Sequence, residues 1–344
     1  PGIEHRLVVP SSGVLPTHEY LPDHTAPQAP VSALSQAEAA TIIADYEAAI
    51  DELAPEIDVI VAHHANVSTV AAARVARRQG VPYVVFVHGT GIEPRFHGGY
   101  ADPIWRQIAE AVAGAAAVVV STTYVRDQLV RPLIDVPLDR FTVLPCGVDP
   151  EEFRPAMGAA MRSKYRLPER FVICPGALTT LEGPQNVVAA TAHYADLAPT
   201  VFIGDGDLRI EIDDLLGDTG RVLGFVSESD KAALINEATI LTAAPEKLEH
   251  FGIIYVEAMA AGTVPVAYCG GGVDSIITPD VGVLTERSPD TLGSAIRTRL
   301  ACPAETERMA VRARRRAVEH FDSRVSGERF AVLVEKALGE HRPD

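Results

Sequence analysis

The stretch EHFGIIYVEAMAAGTVPVAY, Glu249 to Tyr268, holds a helix and a strand with almost nothing between them. Gly252 opens a helix that runs to about Ala261, and VPVAY reads as the strand that follows, which is one step of an alternating α/β chain. Glu249 falls in the loop ahead of the helix and Glu257 inside it, about a turn and a half past Gly252. The backbone N–H groups of Gly252 and Ile253 have no partners within the helix, and the positive end of its dipole makes that terminus a phosphate site. Taken as two carboxylates alone, Glu249 reads as a capping acid and Glu257 as a solvated helix residue.

The same alternation extends in both directions. Upstream, IDVIVA (57–62), YVVFVH (83–88), AVVVS (117–121) and FTVL (141–144) read as strands, with LVV (7–9) as an earlier one. Leu34, Ile42, Tyr46, Ile50 and Leu53 form a helical stripe, and Ser68 is placed to cap the next helix. LPCGVDPEEFRP (144–155) reads as a linker. A second series follows: FVIC (171–174), TVFIG (200–204), RVLG (221–224), TILTA (239–243) and VPVAY (264–268). The expected class is α/β, with two Rossmann-like, doubly wound parallel-sheet domains facing a central cleft. Expected bounds are 1–148 for the first domain, 149–318 for the second, and 319–344 for a C-terminal helix. An opening βα unit of about 30 residues is expected to precede Pro1. The proline-bearing segment from Pro10 to Pro30 reads equally as a substrate loop or a surface excursion.

Composition excludes several classes. The 344 residues are 47% hydrophobic and 22% charged, with a net charge of −16, which suits a globular protein and repels nucleic acid and anionic membranes. The basic run Arg312–Arg316 lies in VRARRRAVEHF, whose apolar spacing marks a helix face, so no nucleic-acid partner is expected. Cys146, Cys174, Cys269 and Cys302 form no C-x-x-C pair, which fits a reduced cytoplasm. The apolar run 111–120 is too short to cross a bilayer. His63, His64, His88 and His97 gather near strand ends, but without an H-E-x-x-H pairing a zinc reading is weak. GDGDLR and GGGVDS both lack the third glycine of a dinucleotide fingerprint.

The pattern around Glu249 and Glu257, acid-x-Phe-Gly-aliphatic followed by Glu-Ala-Met-Ala-x-Gly-x-x-Pro-Val, resembles the signature of family 4 glycosyltransferases, retaining enzymes of the GT-B fold. VFVHGTG with His88, TVLPCGVDPEEF, FIGDGDLR, LGFVSESD and CGGGVDSII agree with that family in order, from His5 to about Leu338. The resemblance implies transfer of a sugar from a UDP- or GDP-sugar to a hydroxyl acceptor, without a metal or further cofactor. It implies that Glu249 and His88 act at the donor sugar, and that Glu257 holds the ribose. Phe251, Gly252, Ile253, Gly176 and Val226 complete the implied donor site. Arg95 and His97, in the loop GTGIEPRFHGGYADP, are the expected acceptor contacts. For lipid acceptors a weak peripheral membrane contact stays open, against the acidic total.

One departure stands out. Where the family reads Gly-Arg-Leu, three residues, then Lys-Gly, this chain reads GALTTLEG and places Ala177 and Glu182. Two lost charge-assisted hydrogen bonds amount to roughly 3–6 kcal/mol of leaving-group stabilisation. Glu182 is expected to repel the diphosphate further, unless Lys247 or Arg95 supplies a cation. The alternatives are a weakened or inactive sugar-nucleotide-binding relative, and an epimerase or phosphorylase of the same fold.

Overall fold

A computed structural model of the chain describes residues 5–17, 28–53, 57–155 and 159–341. The chain forms two compact units, one running to Pro145 and resuming at Glu328, the other spanning Cys146–Gly327.

In the first unit, β1 (Leu15–Thr17) pairs in parallel with β2 (Gln28–Pro30), so both ends of the Pro10–Pro30 segment are held; residues 18–27 lie outside the described residues. Then come α1 (Gln36–Leu53), β3 (Ile60–His63), α2 (Val67–Gln79), β4 (Tyr83–Val87), α3 (Asp102–Ala113), β5 (Ala117–Val120) and β6 (Phe141–Val143). Strands β3 to β6 lie in that order in one parallel sheet. Val84, Val85 and Val87 of β4, and Val118, Val119 and Val120 of β5, are all buried, as strands covered on both faces require. Helix α2 starts at Asn66, whose side chain accepts from the Ser68 N–H, and stops at Gly80 with φ +67°. Asn66, not Ser68, is therefore the cap; the Ser68 hydroxyl lies 2.6 Å from Asn66 Oδ1, inside the first turn. Leu7–Val9 is no strand: Leu7 and Val9 are exposed, and Pro10 ends the run before it finds a ladder.

The second unit contains α4 (Ala160–Tyr165), β7 (Val172–Pro175), α5 (Pro184–Ala190), β8 (Thr200–Ile203), α6 (Arg209–Leu216), β9 (Gly220–Val222) and α7 (Glu228–Glu237). It continues through β10 (Ile240–Ala243), α8 (Ile253–Ala261), β11 (Val264–Tyr268), β12 (Val283–Thr285), α9 (Pro289–Ala301) and α10 (Pro303–His320). Its six strands run β9-β8-β7-β10-β11-β12, all parallel. The winding direction reverses between β7 and β10, and such a switch point opens a crevice at the carboxyl ends of the two strands.

The Leu144–Pro155 segment is anchored, not loose. Val148 bridges Asp322, and Phe153 is buried. Arg314 of α10 serves the same purpose, donating to the carbonyls of Phe153 and Ala260, while Arg316 and Arg312 tie α10 to the carbonyls of Ile276 and Asp280. The final helix α11 (Ser323–His341) belongs to the first unit from Glu328 onward, and within that unit its Phe330, Leu333 and Ala337 pack with Val84, Ala117, Val119 and Leu144. Among the described residues no helix is long and apolar enough to cross a membrane.

Phe202 is fully buried on β8, beside β7. Phe202→Ala is expected to cost about 3–5 kcal/mol. Urea denaturation followed by a probe in the second unit checks it; a loss under 1 kcal/mol would contradict this packing.

Candidate active site

Helix α8 is built to be surrounded. Tyr255 to Ala261 are all buried, and the sequence IIYVEAMAA is apolar on every face except at Glu257. That carboxylate is only 7% exposed, so the expectation of a solvated helix residue is overturned by the helix's position in the core. One oxygen, Oε1, lies 3.3 Å from Lys231 Nζ; the other, Oε2, is buried without a partner among the described residues. Burial pushes the Glu257 pKa up, and the Lys231 ammonium opposes that rise. Leaving such an acceptor unsatisfied costs about 1–3 kcal/mol, which a hydroxyl donor from a ligand recovers.

Lys231 and Glu228, 2.9 Å apart, line a recess of about 280 Å³ with Gly176, Ala177, Asp205, Phe225 and Val226. This recess sits at the carboxyl ends of β7 and β8, beside the switch point. Two of the expected donor residues, Gly176 and Val226, are therefore neighbours. Lys231 went unnoticed in the sequence; its signal was being one of four lysines, three residues after Glu228 in the turn that follows LGFVS.

The loop from β10 to α8 brings Glu249, Phe251 and Gly252 to the same end of the sheet. It is laid against the glycine cluster 270–272: Glu249 bridges Gly271, and the Glu249 carbonyl accepts from Gly272 N–H at 2.6 Å. A Cβ at Gly272 would lie 2.0 Å from the His250 carbonyl oxygen, and one at Gly271 would lie 2.4 Å from that of Glu249. Gly252, φ +87°, turns the chain into α8, and no side chain caps that helix, unlike α2, α7 and α9. The Tyr255 N–H donates to the Gly252 carbonyl, and the N–H groups of Ile253 and Ile254 ahead of it have no intrahelical acceptor. Tyr255 is buried beneath this loop, and burial, followed by the Glu249 and Glu182 charges, raises its phenol well above the ordinary range.

Glu182 does not stand there as an unmatched anion. Lys247 Nζ lies 2.7 Å from its Oε1, and the two loops flanking the switch point are stitched further. Glu246 N–H donates to Leu181, and Asn186 Nδ2 donates to the Ala244 carbonyl and to Glu246 Oε1. The expected repulsion is thus corrected: the acid at the lysine position carries its own lysine from the next loop. Arg95, the other expected cation, donates to Asp102 Oδ1 and to the Tyr100 carbonyl within the first unit.

In the first unit, His63, His64 and His88 come together at the ends of β3 and β4. His63 Nδ1 and His88 Nε2 are 2.9 Å apart, and their rings stack with that of Phe86. Burial, then the neighbouring His64 and His63, pushes the His88 pKa down to about 4, so its ring is neutral at pH 7. Arg95 and His97 lie on the turn Glu93–His97, where His97 is exposed and His88 is not a neighbour in any ring contact or hydrogen bond among the described residues. Among the described residues no three His, Cys, Asp or Glu side chains converge as a metal site.

The sequence matches two family models: residues 160–316 the one described as glycosyl transferases group 1, residues 1–152 the one described as Glycosyltransferase Family 4. The D-inositol 3-phosphate glycosyltransferase 1 of Catenulispora acidiphila is 30% identical over 329 residues, covering 88% of this chain and 76% of that one. The chain is a family 4 glycosyltransferase, one of the enzymes that move sugar from a nucleotide sugar. A GDP-mannose-dependent α-(1-6)-phosphatidylinositol dimannoside mannosyltransferase of Mycobacterium tuberculosis is 26% identical over 238 residues, 67% of this transferase and 60% of that one. In fold, the transferase is similar to Anabaena Alr3699/HepE in complex with UDP, with TM-score 0.76, 19% identity, and 90% and 86% of the two chains covered. It is similar also to sucrose-phosphate synthase from Thermosynechococcus elongatus, with TM-score 0.77, 18% identity, and 94% and 88% covered. Both confirm the GT-B fold expected from the sequence.

A carboxyl group whose pKa rises on folding adds stability that is complete below its unfolded value and lost as pH climbs through its folded value. Ionised Glu257 therefore destabilises the ligand-free transferase. Glu257→Gln is expected to raise Tm at pH 8, with a gain that shrinks towards pH 4, while Lys231 keeps Glu228. A Tm lowered at pH 8 would contradict the burial argument.

Proposed function

We propose that this transferase moves a sugar from a UDP- or GDP-sugar to a hydroxyl of its acceptor, with retention of configuration and without a metal. The observation that carries the reading is the buried Glu257 with Oε2 unpartnered beside the recess of Gly176 and Val226. A ribose diol supplies the hydroxyl donors that oxygen lacks, and the base occupies the recess near Val226. Glu249 contacts hydroxyls of the donor sugar, and His88, neutral at pH 7, is the second residue proposed to act on that sugar.

The acceptor oxygen bonds to the anomeric carbon as the bond from that carbon to the diphosphate oxygen breaks. The acceptor's proton passes to the departing phosphate, leaving a glycoside and a nucleoside diphosphate. Negative charge developing there is met by the uncapped α8 terminus and by Lys247, groups held in place before reaction. Four free cysteines support a reducing, cytoplasmic setting.

A weakened enzyme is the second reading, favoured by Ala177 and by a Lys247 whose charge is offset by Glu182. Turnover of UDP- and GDP-sugars, read as nucleotide release, tests both. Wild-type release is expected with one donor, and Glu257→Ala should lose at least 100-fold. Lys247→Met should lose more than Glu182→Gln, because it strips Glu182 of its partner, and the double variant should recover part of the loss. Nucleotide binding without release points to the weakened relative, and no binding overturns the proposal.

A further inference from the structure

Beside His63 in the first unit lies a recess of about 210 Å³ at the carboxyl ends of β3 and β4, lined by Tyr46, Asn66, Ser68, Thr90 and Tyr100 among others. It is small against the roughly 300–1,000 Å³ of drug-sized ligand pockets, and so suits a single ring. His63 joins it to the expected reaction centre. One nitrogen, Nδ1, is hydrogen-bonded to His88 Nε2, and Nε2 has no partner among the described residues. The Tyr46 hydroxyl and the Asn66 amide nitrogen are likewise without partners there, because only Asn66 Oδ1 is used, by Ser68. These three groups are neutral donors and acceptors of the kind that hydroxyls satisfy.

Charge is what the recess lacks. Among the described residues lining it there is no Lys, Arg, Asp or Glu. Arg95 donates to the Tyr100 carbonyl, but its charge is matched by Asp102 at 2.8 Å. A phosphate dianion held by neutral groups alone forgoes the charge-assisted pairing with Arg or Lys that makes phosphate recognition strong.

We propose that this recess takes the acceptor and that the acceptor is a neutral single-ring polyol, in contrast to the phosphorylated acceptor named for the Catenulispora relative. The proposal rests on the transferase reading above and assigns the substrate class of its acceptor side.

Calorimetric titration of the full chain, with UDP or GDP present, decides it using myo-inositol, glucose and D-inositol 3-phosphate as probes. At least one neutral probe is expected to bind at least tenfold more tightly than D-inositol 3-phosphate. Tyr46→Phe should weaken that binding severalfold, and Ser68→Arg should shift preference towards D-inositol 3-phosphate, a gain that a misfolded variant cannot produce. Nucleotide binding measured on the same samples separates the two readings. If nucleotide binds but D-inositol 3-phosphate binds as well as the neutral probes, or no probe binds, the acceptor proposal is overturned and the donor reading stands. If neither nucleotide binds, both fall.

Discussion

A side chain at Gly272 would place its Cβ 2.0 Å from the carbonyl oxygen of His250, and this exclusion shapes the catalytic end of the second unit. The loop that carries Glu249 can lie against 270–272 only because that stretch is backbone alone. Its position sets where Gly252 turns into α8, and hence where the uncapped helix terminus points and how deeply Glu257 is sunk. The sheet supplies the place, a reversal of winding between β7 and β10; the glycine contact decides what stands in it.

Electrostatics in this site follow from pairs that span the two loops. Glu182 and Lys247 are 65 residues apart in sequence and 2.7 Å apart in space, and neither charge can be read without the other. Lys231 does the same for Glu257, holding one oxygen and leaving the second to a ligand. Half-buried charges arranged in this way give little net stability, because desolvation offsets their attraction. Their effect is on what the site accepts: a hydroxyl at Glu257, and a partly neutralised environment where a leaving diphosphate is proposed to sit.

Much of the fold was legible in the sequence for a simple reason. Parallel strands covered on both faces must be apolar throughout, so YVVFV, AVVV, TVFI and VPVAY announce themselves. Strands β1, β2 and β12 have three residues each at sheet edges and carry no such run, while the apolar Leu7–Val9 lies exposed. Site residues divide along the same line. Glu249, Glu257, Gly252 and His88 stand in local patterns that a reader can find. The burial of Glu257 was legible only in hindsight, from a helix apolar all round. The Glu182–Lys247 pair, the Lys231 contact and the His63–His88 hydrogen bond depend on tertiary proximity, which spacing alone does not encode.

The central claim, that the donor nucleotide binds at the β7–β10 switch point against Gly176, Val226 and Glu257, is tested most directly by hydrogen exchange of the transferase with and without saturating nucleoside diphosphate. Slowed exchange confined to the loops at 176–178 and 225–231 and to 249–257 is the predicted result. Measurable binding that leaves those amides unchanged, or protects only amides of the first unit, would contradict it.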